Sequence, residues 1–162
     1  MADHIVDTSP LCYLHLAGIL QVLPAIFGRV IVPGQVVAEL SAGRAEGHDL
    51  PDPIFLPWAD VRTVSPLSPQ LESFGRLGAG ERAVLTLALA IPGSVAIIDE
   101  LPARRVAASF GVTVTGTLHV ILVAKQRGLV PAVRPLLDRL HGLRFRMSAD
   151  LRSRILTSAD EG

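Results

Sequence analysis

Several residue types are scarce in this chain, and each scarcity removes a class of protein. There is one cysteine, Cys12, so an internal disulfide and a cysteine-rich zinc site are both excluded. A reducing, cytoplasmic setting is the expectation. Aromatic residues are only 4% of the chain, which leaves a core to be built from Leu, Val, Ile and Ala. Charged residues are 19% against 49% apolar ones, a balance that excludes intrinsic disorder. No long hydrophobic run exists despite a mean hydropathy of +0.45. The longest, residues 83–91, is interrupted by Thr86 and stops at Pro92-Gly93. That is far short of the ~20 residues that cross a bilayer, so no membrane association is expected. The opening Met1-Ala2-Asp3-His4 has no basic stretch leading into an apolar one, and no secretory signal is expected.

What is present is an alternation of short apolar runs and helical patterns within 162 residues, a length suited to one domain spanning 1–162. Strands are predicted at Ile5-Val6, Val30-Ile31-Val32, residues 60–64, 94–98 and 112–114. Between them lie helical patterns. Ser9 is a candidate N-cap before Pro10, with a bend at Pro24. Pro33-Gly34 opens a helix to about Ser41, and residues 81–90 form a helix apolar nearly all round. Further helices are predicted over 103–110, 117–126, 132–140 and 149–157, with Gly128 as a C-terminal cap. This alternation predicts a three-layer α/β fold, a central parallel sheet covered by helices on both faces.

Net charge is zero, but its distribution is uneven. Residues 1–100 hold five arginines and eleven acids, whereas residues 101–162 hold nine arginines, Lys125 and four acids. A basic half attracts phosphates while an acidic cluster holds cations, although solvated helix faces give the same pattern. No phosphate-binding loop of the nucleotide-hydrolase type is present.

Ligands of a doubly wound sheet gather at the carboxyl ends of its strands. Asp7 closes the first strand, and Asp99 follows the strand that ends at Ile98. Capping a helix is the plain alternative for Asp99 and Glu100, since Pro102 opens a helix just beyond them. Glu39 and Glu81 sit at the edges of largely apolar helices. Singly, each is explained as a solvated side chain or a helix-dipole partner. Jointly, the four carboxylates match the oxygen-rich donor set of Mg²⁺ or Mn²⁺, which suits phosphoryl chemistry.

The order of these pieces resembles a subgroup of the PIN-domain ribonucleases that includes toxins of toxin–antitoxin pairs. The resemblance runs through Ile5-Val6-Asp7-Thr8-Ser9-Pro10, Val32-Pro33 with Val37-Ala38-Glu39-Leu40, and Leu77-Gly78-Ala79-Gly80-Glu81. It continues through Ile98-Asp99-Glu100 with Ala103-Arg104, and Gly116-Thr117-Leu118 with Ala124-Lys125 and Gly128-Leu129. What it implies is a metal-dependent endoribonuclease in which Asp7, Glu39, Glu81 and Asp99 form the catalytic, metal-holding set. Thr8, Ser9 and Glu100 would support it, with either acid of the Asp99-Glu100 pair facing the metal, and Arg104 would contact substrate. RNA is the implied substrate, and a cognate antitoxin and a homodimer are the implied partners. Most PIN domains carry Asp where this chain has Glu81. A non-catalytic interaction or nucleic-acid-binding protein on the same fold is the alternative.

Overall fold

A computed structural model describes all 162 residues. Five strands and eight helices follow one another along the chain. The first half holds β1 (His4–Val6), α1 (Thr8–Leu16), α2 (Val22–Phe27), β2 (Val30–Pro33), α3 (Gly34–Ala45) and β3 (Ala59–Arg62). The second half holds α4 (Ala79–Ala90), β4 (Val95–Ile97), α5 (Leu101–Ser109), β5 (Thr113–Thr115), α6 (Thr117–Gln126), α7 (Arg134–Gly142) and α8 (Ala149–Ser158). Short 3₁₀ turns at Pro53–Phe55 and Pro69–Leu71 punctuate the Pro-rich connections.

All strands are parallel, in the order β3-β2-β1-β4-β5. Strands buried on both faces must be apolar throughout, and Ile5, Val6, Val30, Val32, Ala96 and Ile97 are fully buried. Helices on both faces join them in one core cluster of 34 buried residues. The expected three-layer α/β architecture is the observed one.

The order of strands fixes where a ligand can sit. From β1 the chain moves to β2 and β3 on one side, then returns through α4 to β4 on the other. The switch point therefore lies between the carboxyl ends of β1 and β4. Their register pairs Val6 with Ile97, which brings the residues after each strand side by side.

Several helix boundaries differ from the sequence expectation. α1 begins at Thr8, with Asp7 rather than Ser9 in the N-cap position. Pro10 still falls within the first turn, where its missing N–H costs nothing. Pro24 also lies in the first turn of α2, so it starts that helix instead of bending one. The break between α1 and α2 falls at Gly18, whose φ of +77° suits glycine. α3 runs a turn beyond Ser41 to Ala45, and Cys12 is half-buried against the core.

The chain end is clasped by one carboxylate. Glu161 accepts from the backbone N–H groups of Val133 (2.7 Å) and Arg134 (3.0 Å), at the start of α7, and from Lys125 Nζ (2.9 Å). The two N–H bonds and then the lysine hold its carboxyl at about 2, below the usual 4.5. A depressed acid contributes stability above its unfolded value and loses it as pH falls toward the folded one. Glu161→Gln is therefore expected to lower the melting temperature at pH 7. It should also flatten the acid side of the stability profile between about pH 4.5 and 2 in thermal unfolding.

A candidate acidic site at the switch point

Asp7 sits where β1 ends, its backbone N–H bonded to Ile97 O at 3.0 Å. It occupies the N-cap position of α1 with extended backbone, yet its carboxylate makes no capping bond. Only 3% of the residue is exposed. Burial pushes its carboxyl up to about 7; the Thr8 N–H partly offsets this, and Glu81, Glu39 and Asp99 add repulsion. A buried carboxyl facing three other acids is costly to ionise unless a cation comes to it.

Glu39 projects from α3 toward the same point. Its Oε2 accepts from the Thr8 hydroxyl at 2.7 Å, and its Oε1 accepts from the Gly80 N–H at 2.6 Å. The expected hydroxyl beside the first acid is thus Thr8, and it serves Glu39; Ser9 lies inside the first turn of α1. Gly80 is the key to this approach. A Cβ there would stand 2.7 Å from Glu39 Oε1 and 3.1 Å from Asp7 Oδ1. The absent side chain lets the first turn of α4 lie against both carboxylates.

Glu81 follows, in the first turn of α4, with Oε1 accepting from the Gly78 N–H at 2.9 Å. This is half of a capping box, since Gly78 has no side chain to return the bond. Burial, then repulsion from Glu100 and Glu39, raises the Glu81 carboxyl; the Gly78 bond opposes the shift.

Asp99 turns inward from the end of β4. Its two oxygens accept from the Thr117 N–H (2.8 Å) and hydroxyl (2.7 Å), so it caps α6 rather than α5. Burial raises its carboxyl, against the pull of those bonds and of Arg104. Glu100 is the N-cap residue of α5, makes no capping bond and is exposed. Arg104 donates from Nη1 to Ile98 O at 3.1 Å. A Cβ on Gly116 would meet that same Nη1 at 2.7 Å and Asp99 Oδ1 at 2.9 Å. Gly80 and Gly116 therefore play matching parts on the two sides of the switch point.

Four residues of this region escape a reading of acids alone: Gly80, Gly116, Thr117 and Tyr13. A Gly-Thr pair directly after a strand signals a helix entry, which is the cue for Gly116 and Thr117. Nothing in the sequence marks Tyr13. Its phenol is raised by burial and then by Asp99 and Glu100, and its ring meets Phe145 edge-on at 4.9 Å.

Beside Asp99 and Arg104 opens a groove of about 790 Å³. It runs along the free edge of β5 past Phe145, His119 and Thr115 to Arg127 and the stacked pair His4–Phe27. Elsewhere the histidine at position 15 is satisfied by Asp49 at 2.9 Å, and the sole lysine is engaged by Glu161. A phosphoacceptor site, which needs a lysine at a strand end, is not built here.

The acids match a hard divalent cation in donor type and charge, with Arg104 the one cation close by. They are not a finished cage: no three of the His, Cys, Asp and Glu side chains are grouped tightly enough to enclose an ion. Mg²⁺ commonly takes one or two carboxylates and fills the rest of its shell with water and substrate oxygens. Asp7, whose carboxylate has only the neighbouring Thr8 N–H to offset its burial, fits that mode.

The class defined by these features is a parallel α/β domain with carboxylates gathered at its topological switch point. A family profile described as the PIN domain matches residues 3–161, and the chain belongs to that family. PIN domains are generally nucleases that use divalent metal ions. A search of curated proteins finds no match. No helix is long and apolar enough to cross a membrane.

Proposed function

We propose that this chain is a single-domain, metal-dependent endoribonuclease spanning residues 1–162, working in the cytoplasm as the toxin of a toxin–antitoxin pair. The observation that carries the catalytic part is the buried carboxyl of Asp7, which faces Glu39, Glu81 and Asp99. In this proposal Asp7, Glu39, Glu81 and Asp99 hold Mg²⁺ or Mn²⁺. Bound there, the ion stabilises negative charge on a phosphodiester under attack by water. Thr8 fixes the Glu39 carboxylate, Thr117 fixes Asp99, and Glu100 adds negative potential from the rim. Arg104 offers a guanidinium fork to a phosphate next to the acids. The groove beyond it, with Arg127 for phosphate and Phe27 and Phe145 for base stacking, gives an RNA strand a path. A cognate antitoxin and a second copy of the chain are the proposed partners.

Calorimetric titration with Mn²⁺ and cleavage of end-labelled RNA test this directly. Binding together with cleavage that stops in EDTA is the expected pair of results. The non-catalytic alternative, an interaction or nucleic-acid-binding protein on the same fold, draws on the incomplete cage and on the hydrogen bonds already satisfying Glu39 and Asp99. RNA binding without Mn²⁺ binding or cleavage would favour it.

A further inference from the structure

Six helices of this chain, α1, α3, α5, α6, α7 and α8, end in the same two-bond turn. In α7 the Arg144 N–H bonds to His141 O at 3.0 Å and the Phe145 N–H to Leu140 O at 2.9 Å. The turn holds the residue after the cap in the left-handed region, where a side chain crowds its own backbone and glycine does not. Gly18, Gly47, Gly111 and Gly128 fill that position in four of the six, at φ between +70° and +92°. Asp160 fills it in α8, and a short polar side chain is the usual substitute. Arg144 fills it in α7 at a φ of +65°. A long cation gains nothing from that backbone, so its reason lies at the far end of the side chain.

Nothing in the chain occupies that end. Neighbouring arginines are engaged: Arg134 by Glu161 O, Arg139 by Leu16 O and Arg152 by Asp138. Arg144 and Arg146 are exposed, and neither pairs with an acid or bonds a carbonyl of the chain. Phe145 stands between them, half-buried, lining the groove beside Asp99 and Arg104. Burial alternates along this connection between α7 and α8: Phe145 and Met147 pack against the core, while Arg144, Arg146 and Ser148 are exposed. The ring therefore belongs to the groove wall, and the two guanidinium groups stand on its outer rim. An apolar ring inside and free cations outside match the build of a nucleotide, whose base has a π-face and whose phosphates are charged.

We infer that Arg144, Phe145 and Arg146 form a site for one unpaired nucleotide of RNA, with the base on the ring and the flanking phosphates on the two arginines. The inference rests on the nuclease reading for the identity of the polymer, and it adds a site that uses none of the acids. Arginine suits the role because its fork matches phosphate oxygens. A base already stacked within a duplex has no free face for the ring, so the site selects single strands. The backbone cost at Arg144 then has a purpose. Glycine would relax the turn but would leave the rim one cation short, and strain of this kind persists where a side chain serves binding.

Fluorescence anisotropy of a short labelled single-stranded RNA in EDTA, where nothing is cut, tests the site alongside thermal unfolding. Arg144→Gly is expected to melt about 1–4 °C higher than wild type, because the turn is relieved. It should nonetheless bind the RNA about fivefold more weakly near 0.1 M salt, with the salt dependence of log affinity shallower by about 0.7. Arg146→Gln should lose as much binding without the gain in melting temperature, and Arg144→Lys should keep most of the affinity. Arg62→Gln, which removes the same charge at the opposite edge of the sheet, should bind as wild type does. Equal binding by wild type and Arg144→Gly overturns the inference and leaves the free arginines to an acidic protein partner. So does an equal loss in Arg62→Gln, since net charge alone then explains it. A wild type that binds no RNA, or binds a duplex as tightly as the single strand, overturns it too. Failure of the nuclease reading looks different: RNA held through both arginines and never cut when Mn²⁺ is added.

Discussion

Asp7→Asn is expected to abolish RNA cleavage while making the metal-free protein more stable. The two effects share one cause. The Asp7 carboxyl is raised to about 7 by burial and by the acids around it, whereas the unfolded chain holds it near 3.8. The folded state therefore binds a proton that the unfolded state releases, and the sign follows. This group's contribution is complete below about pH 3.8, declines as pH rises, and is lost above about 7. At neutral pH the ionised form costs on the order of 4 kcal/mol, and asparagine removes most of that while keeping the shape. A gain of about 1–3 kcal/mol remains after the amide's own burial is counted.

Catalysis moves the other way. Asparagine keeps one oxygen but brings no charge to the site proposed to hold the cation. Loss of an outer partner of a metal site already costs 10–100-fold, and loss of a direct ligand exceeds this. Thermal unfolding with and without Mn²⁺, beside a cleavage assay, separates the terms. In the wild type the melting temperature should fall between about pH 4 and 7 without metal, and Mn²⁺ should recover it at pH 7. In Asp7→Asn both the slope and the recovery should shrink. Equal Mn²⁺ stabilisation of both proteins would move the ion away from Asp7, and retained cleavage would sink the catalytic proposal.

The layout of this site was more legible in the sequence than its fine structure. Apolar runs broken by an acid, Ile5-Val6-Asp7 and Ile97-Ile98-Asp99, mark buried strands that end in charge, and a parallel sheet puts such ends on one edge. That inference needs only burial and topology, and both Asp7 and Asp99 lie where it put them. The α6 boundaries, 117–126, were also readable, because a glycine stands on each side of a helical pattern.

Partner choice was not readable. Asp99 caps α6, eighteen residues on, instead of the adjacent α5, because the β4–β5 pairing carries Thr115, and with it Gly116 and Thr117, beside the end of β4. The Thr8 hydroxyl bonds Glu39 and not its neighbour Asp7, because helix entry turns it toward α3. Both choices depend on contacts distant in sequence, where local pattern has no voice. Ser9 illustrates the reverse error. Serine before proline is a good cap by local rules, yet the strand's own end supplies extended backbone two residues earlier, at Asp7, and the helix starts just after it.

Gly80→Ala should separate activity from stability more cleanly than any change to the acids. Gly80 lies in the first turn of α4 with no positive φ, so alanine fits the backbone. Substituting glycine in such a place gains about 0.4–1 kcal/mol through the unfolded chain. The new methyl would meet Glu39 Oε1 at 2.7 Å and Asp7 Oδ1 at 3.1 Å. Glu39 can swing its carboxylate away at small cost, at the expense of its 2.6 Å bond from Gly80 N–H. Buried Asp7, held by the strand end, has less room to give. Stability is therefore expected to stay within about 1 kcal/mol of wild type. Displacing reactive groups by about 1 Å costs on the order of 10²-fold in rate, and cleavage should fall by that much. Gly142→Ala is the control, since a Cβ there meets nothing within 4 Å. It should bring the same small unfolded-chain gain in stability, with no loss of cleavage. Should Gly80→Ala cleave RNA at the wild-type rate, the pairing of Asp7 with Glu39 across this glycine has no catalytic meaning. Should it instead unfold, the approach of α4 to the strand ends is a structural contact first, and the acids owe their positions to it.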